Sequence, residues 1–196
     1  MEKTLRIAVA DDEPEMLQFL EMALTSLGHE VVVQARNGHA LIEECRTTHP
    51  DLIIADITMP GIDGLDAVSQ IQGTGLIPVI VVSAHHDPEF IQRAIQNHVL
   101  AYLVKPIKKK DLEPAISLVV QRFKEFETLR QEADDLRQTL EDRKLIERAK
   151  GILMKLAGID EPDAFKRLQL LSSQKNQKMA EIAQSIITAN EAFGDS

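Results

Sequence analysis

Apolar residues change their rhythm along this chain near residue 108. Before it lie five short runs, at 5–10 (LRIAVA), 30–35 (EVVVQA), 52–55 (LIIA), 77–82 (IPVIVV) and 100–104 (LAYLV). Runs of this length, rich in β-branched residues and apolar at successive positions, predict strands buried on both faces, as a parallel sheet requires. Between them the spacing is helical. Met16, Leu17, Leu20, Ala23, Leu24 and Leu27 form one stripe after Pro14 and stop at Gly28. Asn37-Gly38 leads into a second helix through Ala40, Leu41 and Cys45, and residues 65–72 form a third. Asp87 and Pro88 open a fourth through Phe90, Ile91, Ala94 and Ile95. Strands alternating with helices on short connections give an α/β fold, a five-stranded parallel sheet doubly wound with helices on both faces.

After residue 108 the strand signal ends. Lys108, Lys109 and Lys110 begin a helix that meets no convincing stop before Gly158, with Pro114 early enough for the first turns to absorb it. From Phe126, the apolar positions Leu129, Ala133, Leu136 and Leu140 follow in steps of three and four, and charged residues fill the other faces. That is a coiled-coil seam of about two heptads, which points to a homodimer through the helical linker. The same residues would serve a helix packed back on its own first domain. Asp160 then caps a further helix with Pro162 in its first turn and Ala164, Phe165, Leu168 and Leu171 on one face. A last helix is predicted over 176–190, with Met179, Ile182, Ala183, Ile186 and Ile187 inside. The expected organisation is an α/β domain at 1–120, a helical linker or coiled coil at 121–142, and a small all-α three-helix domain at 143–196.

Charge separates the same parts. The chain of 196 residues carries a net charge of −9, but residues 1–120 hold 9 Lys/Arg against 17 Asp/Glu, whereas 143–180 hold 9 basic residues against 4 acidic. An acidic front and a basic rear point to different partners. No apolar run reaches the roughly 20 residues that span a bilayer, and the opening MEKTLRIAVADDE lacks a signal-peptide pattern. The single cysteine, Cys45, rules out an internal disulfide and reads as a small packed group in a reducing compartment. The expectation is a cytoplasmic protein with no membrane partner.

The chemistry collects at strand ends. The first strand delivers Asp11 and Asp12, the third Asp56, the fourth Ser83 and the fifth Lys105. A lone Asp closing a strand can be an ordinary solvated residue. Parallel strands, however, bring all five groups to one carboxyl edge, where open α/β sheets bind ligands. Three converging carboxylates repel one another unless a cation holds them, and hard oxygen donors suit Mg²⁺. A hydroxyl and an ammonium across the pocket complement the oxygens of a phosphoryl group. The chemistry implied is a phosphoryl group carried on a carboxylate, with Asp56 as the nucleophile. His85 and His86 are adjacent in a loop, and adjacent side chains diverge, so they make poor joint metal ligands.

These residues carry a resemblance. Asp11-Asp12, Asp56 followed by TMPGIDG, Ser83-Ala84 and Tyr102-Leu103-Val104-Lys105-Pro106 are similar to the receiver domain of two-component response regulators, a flavodoxin-like fold, over roughly residues 5–120. The resemblance implies that Asp56 accepts a phosphoryl group from a sensor histidine kinase. It implies that Asp11, Asp12, Asp56 and the backbone carbonyl of Thr58 hold Mg²⁺. Ser83 and Lys105 would bind the phosphoryl oxygens, and Tyr102 would be the aromatic that rotates inward as Ser83 moves. The Lys105–Pro106 bond is expected to be cis.

The tail bears a second one. Residues 143–154 (RKLIERAKGILM), then Glu161, Ala164-Phe165, Leu168 and Ile182-Ala183, resemble the ANTAR domain, the RNA-binding module of the AmiR and NasR transcription antitermination regulators, over about 142–189. This implies binding to small paired stem-loops in leader transcripts, preventing a terminator hairpin. The candidate contacts are the basic residues Arg143, Arg148, Lys150, Lys166, Lys175 and Lys178. Gln169 and Ser172-Ser173 depart from the family pattern, which commonly has an Arg and then an Ala-Met pair there. From the residues alone, a basic three-helix unit could also bind duplex DNA or dock a protein. The receiver promotes only its own aspartyl phosphorylation and dephosphorylation, so the expectation is a switch rather than an enzyme.

Overall fold

Alternation along the strands decides the layers. Successive side chains of a strand point to opposite faces. Ala8 and Ala10 of β1 (Arg6–Ala10) therefore enter one apolar layer, and Ile7 and Val9 the other. The computed structural model describes residues 4–73, 75–84, 93 and 99–193. Its sheet has five strands in the order β2-β1-β3-β4-β5, every neighbouring pair parallel. The remaining strands are β2 (Glu30–Ala35), β3 (Leu52–Asp56), β4 (Val79–Ser83) and β5 (Ala101–Val104). Residues of β3 and β4 are buried throughout, so both faces of the central strands are covered.

The covering helices divide by face. Leu17, Leu20 and Leu24 of α1 (Pro14–Ser26) join Ile7, Val9, Leu52, Ile54, Ile80 and Val82. Leu112, Ile116 and Val119, from the start of α4 (Lys109–Ala157), complete that layer. The opposite layer takes Leu41, Ile42 and Cys45 of α2 (Gly38–Thr48) and Leu65, Ala67, Val68 and Ile71 of α3 (Gly64–Gln72). This is the doubly wound α/β sandwich expected. Gly28 closes α1 at φ 87°, and the N–H groups of Gly28 and His29 return to the carbonyls of Thr25 and Leu24. Those bonds satisfy carbonyls that a helix end leaves open. The helix expected through Phe90, Ile91, Ala94 and Ile95, and His85 and His86 before it, fall outside the described residues.

The chain divides into two compact units, Met1–Glu127 and Thr128–Ser196, and α4 is continuous through the boundary. The second unit has its own core, built from Ala149 of α4, Leu168 of α5 (Glu161–Lys175), and Ile182, Ala183 and Ile187 of α6 (Met179–Phe193). Asp160 caps α5 by accepting from the Asp163 N–H. The last helix begins at Met179 rather than at 176. Asn176 sits in the left-handed region at φ 51° and ends α5, so its backbone cannot open the next helix.

Candidate functional site

Because all five strands run the same way, their carboxyl ends share one edge, and the site is assembled there. Asp56 is the last residue of β3, buried, with Val82 of β4 beside it in register. Its Oδ1 accepts the Thr58 N–H at 3.1 Å and its Oδ2 accepts from Lys105 Nζ at 2.7 Å. Lys105 follows β5, and its N–H donates to the Ser83 carbonyl at 2.9 Å, joining the ends of β4 and β5. The Lys105–Pro106 bond is cis, as expected.

Asp11 is one of the most buried polar groups, 1% exposed, just past β1. Its Oδ1 accepts the Glu13 N–H at 2.9 Å, while its Oδ2 lies 2.8 Å from the Lys105 ammonium. That contact is an ion pair off the angle of a hydrogen bond, and among the described residues Oδ2 accepts none. Asp11, Asp12 and Asp56 each bring an oxygen within 4.8 Å of the others. A buried carboxylate oxygen short of a donor, beside two further hard oxygen donors, fits a divalent cation of the Mg²⁺ class.

Electrostatics follow from this packing. Burial raises the Asp11 pKa, the ammonium of Lys105 and the N–H of Glu13 offset it only in part, and the Asp56 charge adds to the rise. For Lys105 burial acts in the opposite sense and lowers its pKa. Its pairing with the Asp11 and Asp56 carboxylates outweighs that, so the ammonium stays protonated well above its ordinary range.

The structure thus gathers Asp11, Asp12, Asp56 and Lys105, with the Thr58 backbone bonded to Asp56. Ser83 is buried at the end of β4. Tyr102 lies opposite Val81 on β5, partly buried against the layer that holds α2 and α3. Three contributors had no role in the sequence reading. Glu13 Oε1 stands 3.3 Å from Lys105 Nζ. A Cβ on Gly64 would collide with the Asp56 carbonyl oxygen, so only glycine lets α3 begin against the end of β3. Arg93 bridges Asp63 and Asp66 at 2.8 Å each, and Asp63 is the N-cap of α3. The sequence signal for Gly64 was present in PGIDG, where it reads only as a helix breaker.

The basic residues of the tail are disposed differently. Arg143, Lys175 and Lys178 are exposed and have no ion pair among the described residues. Arg148 is exposed and pairs with Glu191 at 2.7 Å, and Lys166 reaches Asp163 at 3.4 Å. Lys150, also a candidate contact, is placed differently. It is buried, with its ammonium 2.8 Å from Glu147 and 2.7 Å from Glu161, so it ties α4 to the start of α5. Ser172, one of the departures from the family pattern, donates its hydroxyl to the Gln177 carbonyl at 2.6 Å and braces the turn between α5 and α6. Gln169 is exposed. Among the described residues, no helix is long and apolar enough to cross a membrane.

Comparison with known proteins accounts for both parts. Residues 7–117 match the response regulator receiver domain and residues 134–187 match the ANTAR domain. The transcriptional regulatory protein PdtaR of Mycobacterium tuberculosis is 38% identical over 182 residues, covering 93% of this chain and 89% of that protein. Among solved structures, a response regulator receiver domain protein from Clostridium thermocellum is 28% identical with a TM-score of 0.57, covering 62% of this chain and 98% of that one. The receiver domain of the response regulator NarL from Mycobacterium tuberculosis is 27% identical with a TM-score of 0.57, over 61% of this chain and 98% of that one.

Proposed function

Because the chain belongs to the response regulators, with a receiver domain ahead of an ANTAR domain, we propose that phosphorylation of Asp56 switches an RNA-binding output that acts in transcription antitermination. The observation that carries this reading is the Asp56 carboxylate, buried at a strand end and bonded to Lys105 at 2.7 Å. In the proposed transfer, an Asp56 oxygen attacks the phosphorus of a phosphohistidine on a sensor kinase. The O–P bond forms as the P–N bond breaks, and the departing imidazole nitrogen takes up a proton. The Thr58 N–H holds Oδ1 and fixes the carboxylate plane, which lowers the orientational cost of attack. The Lys105 ammonium neutralises charge on the phosphoryl oxygens, and the Ser83 hydroxyl donates to another. Asp11, Asp12, Asp56 and the Thr58 carbonyl would hold Mg²⁺, which supplies further charge neutralisation when bound. Tyr102 would follow Ser83 and carry the change away from the site.

The proposed division is a receiver at 1–120, a helical linker at 121–142 and the ANTAR unit at 143–196. Two chains would join through the linker and present two heads to paired RNA stem-loops, gaining avidity without new contacts. Arg143, Arg148, Lys166, Lys175 and Lys178 would supply phosphate contacts and a strong salt dependence. Lys150 reaches RNA in this reading only if its two carboxylate partners release it. An RNA target of this kind would be met in the cytoplasm.

Incubation with acetyl phosphate and Mg²⁺, followed by mass spectrometry of the intact protein, tests the phosphoacceptor. The wild type should gain one phosphoryl group and Asp56→Ala none. Equal labelling of the variant, or no labelling of the wild type, contradicts the reading.

A further inference from the structure

One cation of the tail is already held by a carboxylate that an RNA phosphate would have to displace, and the inference rests on the RNA-binding output proposed above. Arg148 of α4 meets Glu191 of α6 at 2.7 Å across 43 residues of sequence. Ala149 and Ile187 enter the same core, which brings the two helices together near this pair. Nothing local calls for a carboxylate at residue 191. It stands in the last turn of α6, where the helix dipole is negative and favours a cation, and that turn carries no basic residue of its own. Arg148 offsets the cost from another helix.

The other candidate contacts are held differently. Arg143, Lys175 and Lys178 have no ion pair among the described residues. Lys166 reaches Asp163, on its own helix, only at 3.4 Å. Lys150 lies between Glu147 and Glu161 with its side chain 8% exposed, so giving up these partners would strand a buried charge. The side chains of Arg148 and Glu191 are 61% and 55% exposed. Their bond is short, yet it can be exchanged at the surface without burying an unpaired charge.

We infer that Glu191 occupies the place of an RNA phosphate on Arg148, and that RNA binding exchanges one anion for the other. A guanidinium offers the same planar fork of donors to a carboxylate and to a phosphate. In the exchange the phosphate gives up its counterion to Arg148. The freed Glu191 carboxylate, now beside a polyanion and a helix C-terminus, attracts a cation of its own. The contact therefore adds affinity but releases little net salt, unlike the contact of an unpaired lysine such as Lys178. Glu191 becomes a specificity-determining residue. An RNA that sets a phosphate at Arg148 displaces it, and an RNA that does not meets its negative charge.

The test measures binding of the full chain, with Mg²⁺ and beryllofluoride, to a labelled RNA carrying two adjacent small hairpins over a series of salt concentrations. The proteins are the wild type, Glu191→Gln, Arg148→Ala and the variant with both changes. Glu191→Gln keeps the size of the side chain and removes its charge. It should bind about threefold more tightly at low salt, with a salt slope steeper by about one. Arg148→Ala should weaken binding and keep the wild-type slope, because contact and exchange are lost together. In the Arg148→Ala background, Glu191→Gln should leave the slope where it was. Wild-type affinity and slope in Glu191→Gln overturn the exchange. A slope steepened equally in both backgrounds overturns it too, since Glu191 would then repel RNA without acting through Arg148. If no protein binds, the wild type included, the RNA-binding reading falls and takes this inference with it.

Discussion

The acidic pocket and the basic tail use charge in opposite ways. In the pocket, Asp11, Asp56 and Lys105 are held by strand ends, and one ammonium lies within 2.8 Å of two carboxylates. Every group there depends on its neighbours, because burial makes an unpaired charge costly. In the tail, Arg143 and Lys175 stand exposed on helices and Lys178 is exposed in the turn before α6, with no ion pair among them in the described residues. A converging site is suited to chemistry at one atom. A dispersed one suits a polyanion whose charges are themselves dispersed. Lys150 is the exception that sharpens the contrast, since it lies in the tail yet is buried between two carboxylates.

The largest expected effect belongs to the pocket. Gly64→Ala places a methyl group against the Asp56 carbonyl, and should lower receiver stability by about 3 kcal/mol, read from the urea midpoint. An unchanged midpoint would mean that α3 shifts freely against β3.

The next effect is a pH dependence. In the fold the Asp11 pKa is raised, so above the ordinary value of 3.8 the folded state keeps a proton that the unfolded state has lost. Stability from this group therefore falls as pH rises through that window. Without Mg²⁺, Asp11→Asn should be more stable than the wild type at neutral pH, and the difference should close as pH falls below 3.8. A variant less stable at neutral pH would show that pairing with Lys105 outweighs burial. Lys105 acts at the other end of the scale. Its raised pKa means that its contribution is complete below 10.5 and is lost only at higher pH.

In the tail, Lys178→Ala should weaken RNA binding a few-fold and reduce the salt slope by about one, with thermal stability unchanged. Lys150→Met should do the reverse, lowering the melting temperature and leaving the salt slope intact. If both behave alike, the distinction between the two lysines fails. The smallest effect is Ser172→Ala, which removes the bond to the Gln177 carbonyl and should cost about 1 kcal/mol.

How much of this was legible depended on whether the cause was local. Strands such as LIIAD and VIVVS were readable because burial on both faces leaves no polar position to confuse the period. The strand-end carboxylates and Lys105 were readable for the same reason, since parallel strands can place their ends on only one edge. The continuity of α4 to Ala157 followed from the lack of a stop signal. What was missed comes from tertiary approach. Glu147 stands three residues before Lys150, but Glu161 reaches it from the next helix, and nothing in the sequence brings them together. Gly64 reads as a breaker until β3 lies against it. The start of α6 was placed three residues early because Asn176 favours a helix end as readily as a beginning.

The central claim is that the converging site controls the dispersed one. Binding of the full chain to a labelled RNA carrying two adjacent small hairpins tests it most directly, with and without Mg²⁺ and beryllofluoride, for the wild type and Asp56→Ala. The account predicts tighter binding with the phosphoryl analogue in the wild type and no change in the variant. Equal binding in all four conditions would contradict the coupling.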